Sequence, residues 1–146
     1  MIHHIVEMFK EAATRTFSTT LMVDLTVVEG EVPEPEWEIF GLIGLSGDVN
    51  GNVAVCLRND TAREIIYRFT GEQARGIEDI TDGVGEIVNI IAGNAKSYMT
   101  DKRVFLSLPE VVQGKSVKID FKKFKERVEI RFASDIGPVK LIFACR

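Results

Sequence analysis

Apolar residues recur every three or four positions in two long stretches of the chain, and every second position or continuously in most of the rest. Between residues 2 and 18, Ile5, Val6, Phe9, Ala12, Ala13, Thr16 and Phe17 fall at helical spacing and predict an amphipathic first helix. "LMVDLTVV" (21–28) predicts a strand, and the acidic, proline-punctuated "EGEVPEPE" (29–36) a loop. "WEIFGLIGLSG" and "NVAVCLR" predict two strands joined at "GDVNGN", with Asn50-Gly51 as the hairpin signal. Asp60 or Thr61 is placed to cap a short helix, with Thr61-x-x-Glu64 as a capping box and Gly71 as its terminator. A long helix is expected from about Asp79 to Tyr98. "RVFLSLPEVV", "SVKIDF", "RVEIRFA" and "VKLIFACR" predict further strands, with Asp135-Ile136-Gly137-Pro138 as a turn. This order predicts one α+β domain over residues 1–146, with long helices packed on an antiparallel β-sheet.

An internal echo bears on that organisation. "IVEMFKEAA" (5–13) resembles "IVNIIAGNA" (87–95), and "VVEG" (27–30) resembles "VVQG" (111–114). The two pairs follow each other in the same order, as two helix-then-strand halves related by a two-fold pseudo-repeat would.

The long helix has an unusual composition. "DGVGEIVNIIAGNAK" (82–96) carries Gly83, Gly85 and Gly93, each expected to weaken a helix by roughly 1 kcal/mol relative to Ala. Ile80, Val84, Ile87, Val88, Ile91, Ala95 and Tyr98 form one apolar face. Asp82, Glu86, Asn89 and Gly93 fall within about 60° of one another on the opposite side, because they are spaced four, three and four apart. Two readings are open at this point. The stripe is a solvated face with tolerated glycines, or it is a surface that another molecule approaches closely at Gly93. The residue types suit the second. A carboxylate grips a cation, and a carboxamide both donates to and accepts from one water. That combination can orient a hydrolytic water on a reactive phosphate carried by another protein, and no neighbouring residue supplies a nucleophile or a metal cluster.

Composition narrows the class. The chain is 45% hydrophobic and 27% charged, as in ordinary globular proteins. A net charge of −4 supplies no general attraction to nucleic acid or anionic lipid. Cys56 and Cys145 stand in apolar strand-like runs and are expected as buried free thiols. No stretch approaches the ~18 apolar residues of a membrane span, and the N-terminus does not read as a signal peptide, so a cytoplasmic protein is expected. "QGKS" (113–116) lacks the first glycine of a phosphate loop, having Pro109 in its place. "KIDFKKFKERVEIRF" (118–132) interleaves basic and aromatic residues, which alternation on a half-exposed strand explains. His3 and His4 diverge by about 100° on a helix and cannot chelate one ion well.

"EIVNIIAGNA", with its E-x-x-N core and Asp82 four residues before it, resembles the signature of the CheC/CheX/FliY phosphatases of bacterial chemotaxis. The resemblance extends through "GLIGLSGDVNGNVAVCLRNDTAREIIYRFTGE", like the family's glycine-rich hairpin and short helix, and through "LPEVVQGKSVKI". It implies a CheC-like fold and a substrate that is the phosphoaspartate of a CheY-like response-regulator receiver domain. It further implies that Glu86 pairs with the receiver's active-site lysine and that Asn89 enters the receiver site to place the attacking water. The receiver would supply the Mg²⁺, so this chain needs no metal or other cofactor of its own. Asp82 stands where the family carries Ser or Asp, and with Gly93 it is assigned to the partner-binding surface. At the corresponding place in the first helix, His4 and Glu7 replace the Glu and Asn of a second motif, so the chain resembles CheX-type members, which have one site. The alternative is a non-catalytic module that docks a receiver or a flagellar-switch partner through the same helix.

The last expectation concerns assembly. "VKLIFACR" is apolar on both faces with only Arg146 after it, and such a strand at a sheet edge invites pairing. CheX-type proteins are homodimers joined through β-strands, which implies a symmetric homodimer here. The competing account makes this strand central in its own sheet and the protein a monomer.

Overall fold

A computed structural model describes residues 2–114 and 124–146. The predicted strand "SVKIDF" lies outside the described residues. Helix α1 (Ile2–Leu21) is followed by β1 (Thr26–Val27), the strands β2 (Ile39–Gly47) and β3 (Gly51–Leu57), and helix α2 (Asn59–Thr70). Helix α3 (Ile77–Ser97) then leads to β4 (Val104–Leu106), β5 (Glu110–Gln113), β6 (Glu126–Ala133) and β7 (Val139–Cys145).

These strands form one antiparallel sheet in the order β1-β6-β7-β3-β2-β4, and β5 pairs with the other end of β2. The order explains the sequence echo. Each long helix is followed by a short strand that pairs with a hairpin from the other half, β1 with β6 and β5 with β2, while β7 and β3 meet at the centre. "VVEG" and "VVQG" therefore sit at matching places on the two flanks of the sheet.

The helices cover one sheet face: α1 packs on β6 and β7, α3 on β2, β4 and β5, and α2 against α1 and α3. Their apolar stripes share one core with Val139, Leu141 and Phe143 of β7 and Val53, Val55 and Leu57 of β3, and the rings of Phe9 and Phe143 stand 5.5 Å apart. Alternation turns the intervening residues to the far face, where Phe40, Ala54, Cys56, Ile142 and Ala144 form a second, smaller buried cluster. Lys140 is buried on that face and donates to both Glu34 and Glu129. Burial opposes its charge, but the hydrogen bonds it donates to Glu129 and Glu34 outweigh this and raise its pKa. Arg131 donates to the Val32 and Pro33 carbonyls at 2.6 and 3.1 Å. Together these contacts fasten the acidic segment before β2 onto the sheet.

Four expectations need correction. Most of 21–28 is not strand: Leu21 closes α1, and only Thr26–Val27 joins the sheet. The β2–β3 hairpin forms, but Gly51 already lies in β3, paired with Leu45, so Asn50-Gly51 is not the centre of a two-residue turn. A side chain at position 51 would bring its Cβ within 2.4 Å of the Ala144 carbonyl oxygen, so close strand packing explains this glycine. The capping box is absent, because α2 begins at Asn59 after Arg58, and Thr61 is buried inside it against Gly137. Gly71 does close the helix in the left-handed conformation, with φ of 80°. Lastly, β7 is not an edge. It pairs with β6 on one side and β3 on the other and is buried throughout, which is why it is apolar on both faces.

Candidate functional site

Helix α3 is anchored by one face and open on the other. Ile80, Val84, Ile87, Val88, Ile91, Ala92 and Ala95 are buried, whereas Asp82, Glu86, Asn89 and Gly93 are all exposed. A rise of 1.5 Å per residue puts Glu86 and Asn89 about 4.5 Å apart along the axis, on adjacent turns of one face. Among the described residues nothing hydrogen-bonds to or pairs with the side chains of Asp82, Glu86 or Asn89. Their polar groups are held on a fixed backbone and face outward.

The glycines answer to different causes. A Cβ at Gly83 would come within 2.0 Å of Ile66 Cδ1, so this residue lets α2 cross α3 closely. Gly85 is buried against Val111 and Pro109, at 3.6 and 3.8 Å from an added Cβ. Nothing lies within 4 Å of a Cβ at Gly93. Internal packing accounts for the first two and makes no demand on the third.

The stripe has walls on both sides. Towards α2, a groove of about 260 Å³ is lined by Ile66, Phe69, Arg75, Asp82, Gly83 and Glu86. At its end Asp79 Oδ2 accepts from the Arg75 backbone N–H at 2.9 Å and from its Nε at 3.3 Å. The backbone bond first, then the side-chain bond, holds the Asp79 carboxyl below its usual range. Asp79 is thus committed to the helix start, and Glu86 is not. On the other side stands the Ser107-Leu108-Pro109 connection, placed by the contact of Pro109 with Gly85.

That connection was not legible as a wall in the sequence, where 103–112 reads as one strand. Pro109 was the available signal, since proline interrupts a strand; the run divides into β4 and β5 around it.

Other candidate chemistry does not assemble. Among the described residues no three His, Cys, Asp or Glu side chains are grouped to hold a metal ion. Burial pushes the Cys56 thiol up to about 12, and burial also raises that of Cys145, so neither is a ready thiolate. His4 and Glu7 are exposed on α1, with Glu7 3.9 Å from Lys10. No carboxamide accompanies them there. No described helix is long and apolar enough to cross a membrane.

A family model described as the chemotaxis phosphatase CheX matches residues 39–133, from β2 through β6 and including all of α3. The chain belongs to the CheX family. Solved CheX structures agree with the fold. A chemotaxis protein CheX from Vibrio vulnificus is 26% identical, with a TM-score of 0.85 over 97% of this chain and 96% of that one. A CheX from Desulfovibrio desulfuricans is 22% identical, with a TM-score of 0.86 over 98% and 99% of the two chains. A complex of CheX with CheY, BeF₃ and Mg²⁺ from Borrelia burgdorferi is 22% identical over 97% of each chain, with a TM-score of 0.80. No curated protein sequence matches the chain significantly. Membership of the CheX family makes this a protein of the chemotaxis-phosphatase class within two-component signalling.

Proposed function

We propose that this protein hydrolyses the phosphoaspartate of a CheY-like receiver domain, with Asn89 positioning water and Glu86 holding the receiver. The observation that carries the reading is the pairing of an unengaged carboxylate and an unengaged carboxamide, one turn apart on the open face of a helix whose other face is buried. A CheY complex is known for the Borrelia CheX, which shares the fold.

The chemistry asked of this chain is small. Water attacks the phosphorus, the bond from phosphorus to the aspartyl oxygen breaks, and the receiver's carboxylate leaves with the bonding electrons. Asn89 accepts a hydrogen bond from the attacking water through its carbonyl, and its NH₂ group can donate to a phosphoryl oxygen. Glu86 meets the receiver's active-site lysine in a charge-assisted contact that strengthens as the interface excludes water. Asp82 extends the acidic end of the contact. Gly93, with no side chain, lets the receiver's surface approach the helix. The Mg²⁺ of the reaction belongs to the receiver. Because α3 is already fixed by its buried face, only side-chain rotamers remain to be ordered, and positioning is the main catalytic contribution.

The deciding experiment measures phosphate release from a CheY receiver phosphorylated with acetyl phosphate, with and without this protein. Release well above the receiver's own rate is expected. Binding to the phosphorylated receiver without faster release would make the protein a docking module and overturn the hydrolytic role.

A further inference from the structure

We propose that Leu108 is an affinity anchor of this surface, burying its side chain against the receiver that docks on the α3 stripe. The proposal rests on the receiver reading of the α3 stripe. Leu108 is 87% exposed, more than any other large hydrophobic residue among those described. A single exposed leucine needs no explanation by itself. This one is distinguished by how firmly its backbone is held and by what it adjoins.

Ser107 on one side donates its N–H to the Gly44 carbonyl at 2.9 Å, and its Oγ accepts from the Gly44 N–H at 2.8 Å. The same hydroxyl also donates to the Leu108 carbonyl at 3.0 Å. Pro109 on the other side restricts Leu108 to extended backbone and packs on α3 at Gly85. Gly85 lies one turn before Asn89 on the helix surface, so Leu108 is fixed one residue from a contact at the Asn89 side of the stripe. An apolar side chain on a preorganised backbone loses little freedom on binding. Its burial would therefore add to affinity. The contact is equally present in the ground and transition states, so it should act on KM and leave kcat alone.

The test compares wild type, Leu108→Ser, Leu108→Met and Phe105→Ser on an acetyl-phosphate-phosphorylated CheY receiver, with binding measured on its beryllofluoride form. Phe105 is the control, because it alternates to the sheet face away from the helices. Leu108→Ser should raise KM and Kd about tenfold with kcat unchanged, from the burial of one aliphatic side chain. Leu108→Met should restore both to within about twofold, and Phe105→Ser should move neither. A Leu108→Ser protein with wild-type KM, or with a lower kcat at unchanged KM, overturns the anchor while the receiver reading stands. A wild-type protein that neither binds nor turns over the receiver overturns that reading, and the anchor with it.

Discussion

Replacing Asn89 with alanine should move stability and activity in opposite directions. The residue is exposed on the open face of α3 and has no partner among the described residues, so truncation leaves no cavity and no orphaned buried group. What remains is intrinsic helix propensity, which favours Ala over Asn by about 0.5 kcal/mol in a helix interior. For a chain of this length that corresponds to a rise in Tm of about 1–2 °C. The loss in turnover has a different scale. Removing one well-placed polar group at a transition state costs about 10²–10³ in rate, or about 3–4 kcal/mol. Phosphate release under single-turnover conditions, read beside a thermal melt and receiver binding, separates the two effects. Asn89→Ala should bind the phosphorylated receiver almost as wild type does, melt slightly higher and hydrolyse two to three orders of magnitude more slowly. Near-normal turnover would refute the water-positioning role. A drop of several degrees in Tm would show that Asn89 supports the fold, and the kinetic loss could then not be assigned to chemistry.

Glu86→Ala should weaken receiver binding about ten- to hundredfold, the worth of a charge-assisted contact, and Glu86→Gln in a titration beside it separates charge from shape; equal affinity for all three proteins removes Glu86 from the interface. Gly93→Arg should keep or slightly raise the Tm, because nothing lies within 4 Å of its Cβ, while blocking approach and lowering activity; full activity would mean no partner lies against that turn. The Glu34 carboxyl is held below its usual 4.5, first by its hydrogen bond from Lys140 and then by that from Trp37. Its stabilising contribution is therefore present above pH 4.5 and lost as pH falls through the lower folded value, so Glu34→Gln should reduce Tm at neutral pH and approach wild type as the pH is lowered through that value; a Tm difference that stays constant as the pH falls would reject this contribution. A homodimer joined through β-strands would have to use the sheet edges, β1 or β4 with β5, since β7 is central; light scattering should then give about twice 16.3 kDa, and the monomer mass would exclude the dimer.

Local pattern was enough for the parts of this protein that depend on periodicity. The two long helices, the β2–β3 pair, the last two strands and the open stripe of α3 all follow from spacing, because a helix or strand with one buried face must repeat its apolar residues at 3.6 or 2. The family was legible too, in residues from "GLIGLSG" to "LPEVV" that the matched family stretch contains. What the sequence could not decide was anything set by an element distant along the chain. An apolar strand such as "VKLIFAC" reads the same whether it is a sticky edge or the sheet's centre, and only its pairing with β3 and β6 made it central. Thr61 has the local signature of a cap, but packing against Gly137 placed it inside α2. Gly83, Gly85 and Gly93 look alike in the sequence. Tertiary contact assigned the first to Ile66 and the second to Pro109 and Val111, and left the third open. The same packing left Leu108 exposed next to Pro109, which meets α3 at Gly85, since a residue's exposure depends on its non-local neighbours, which spacing along the chain does not encode.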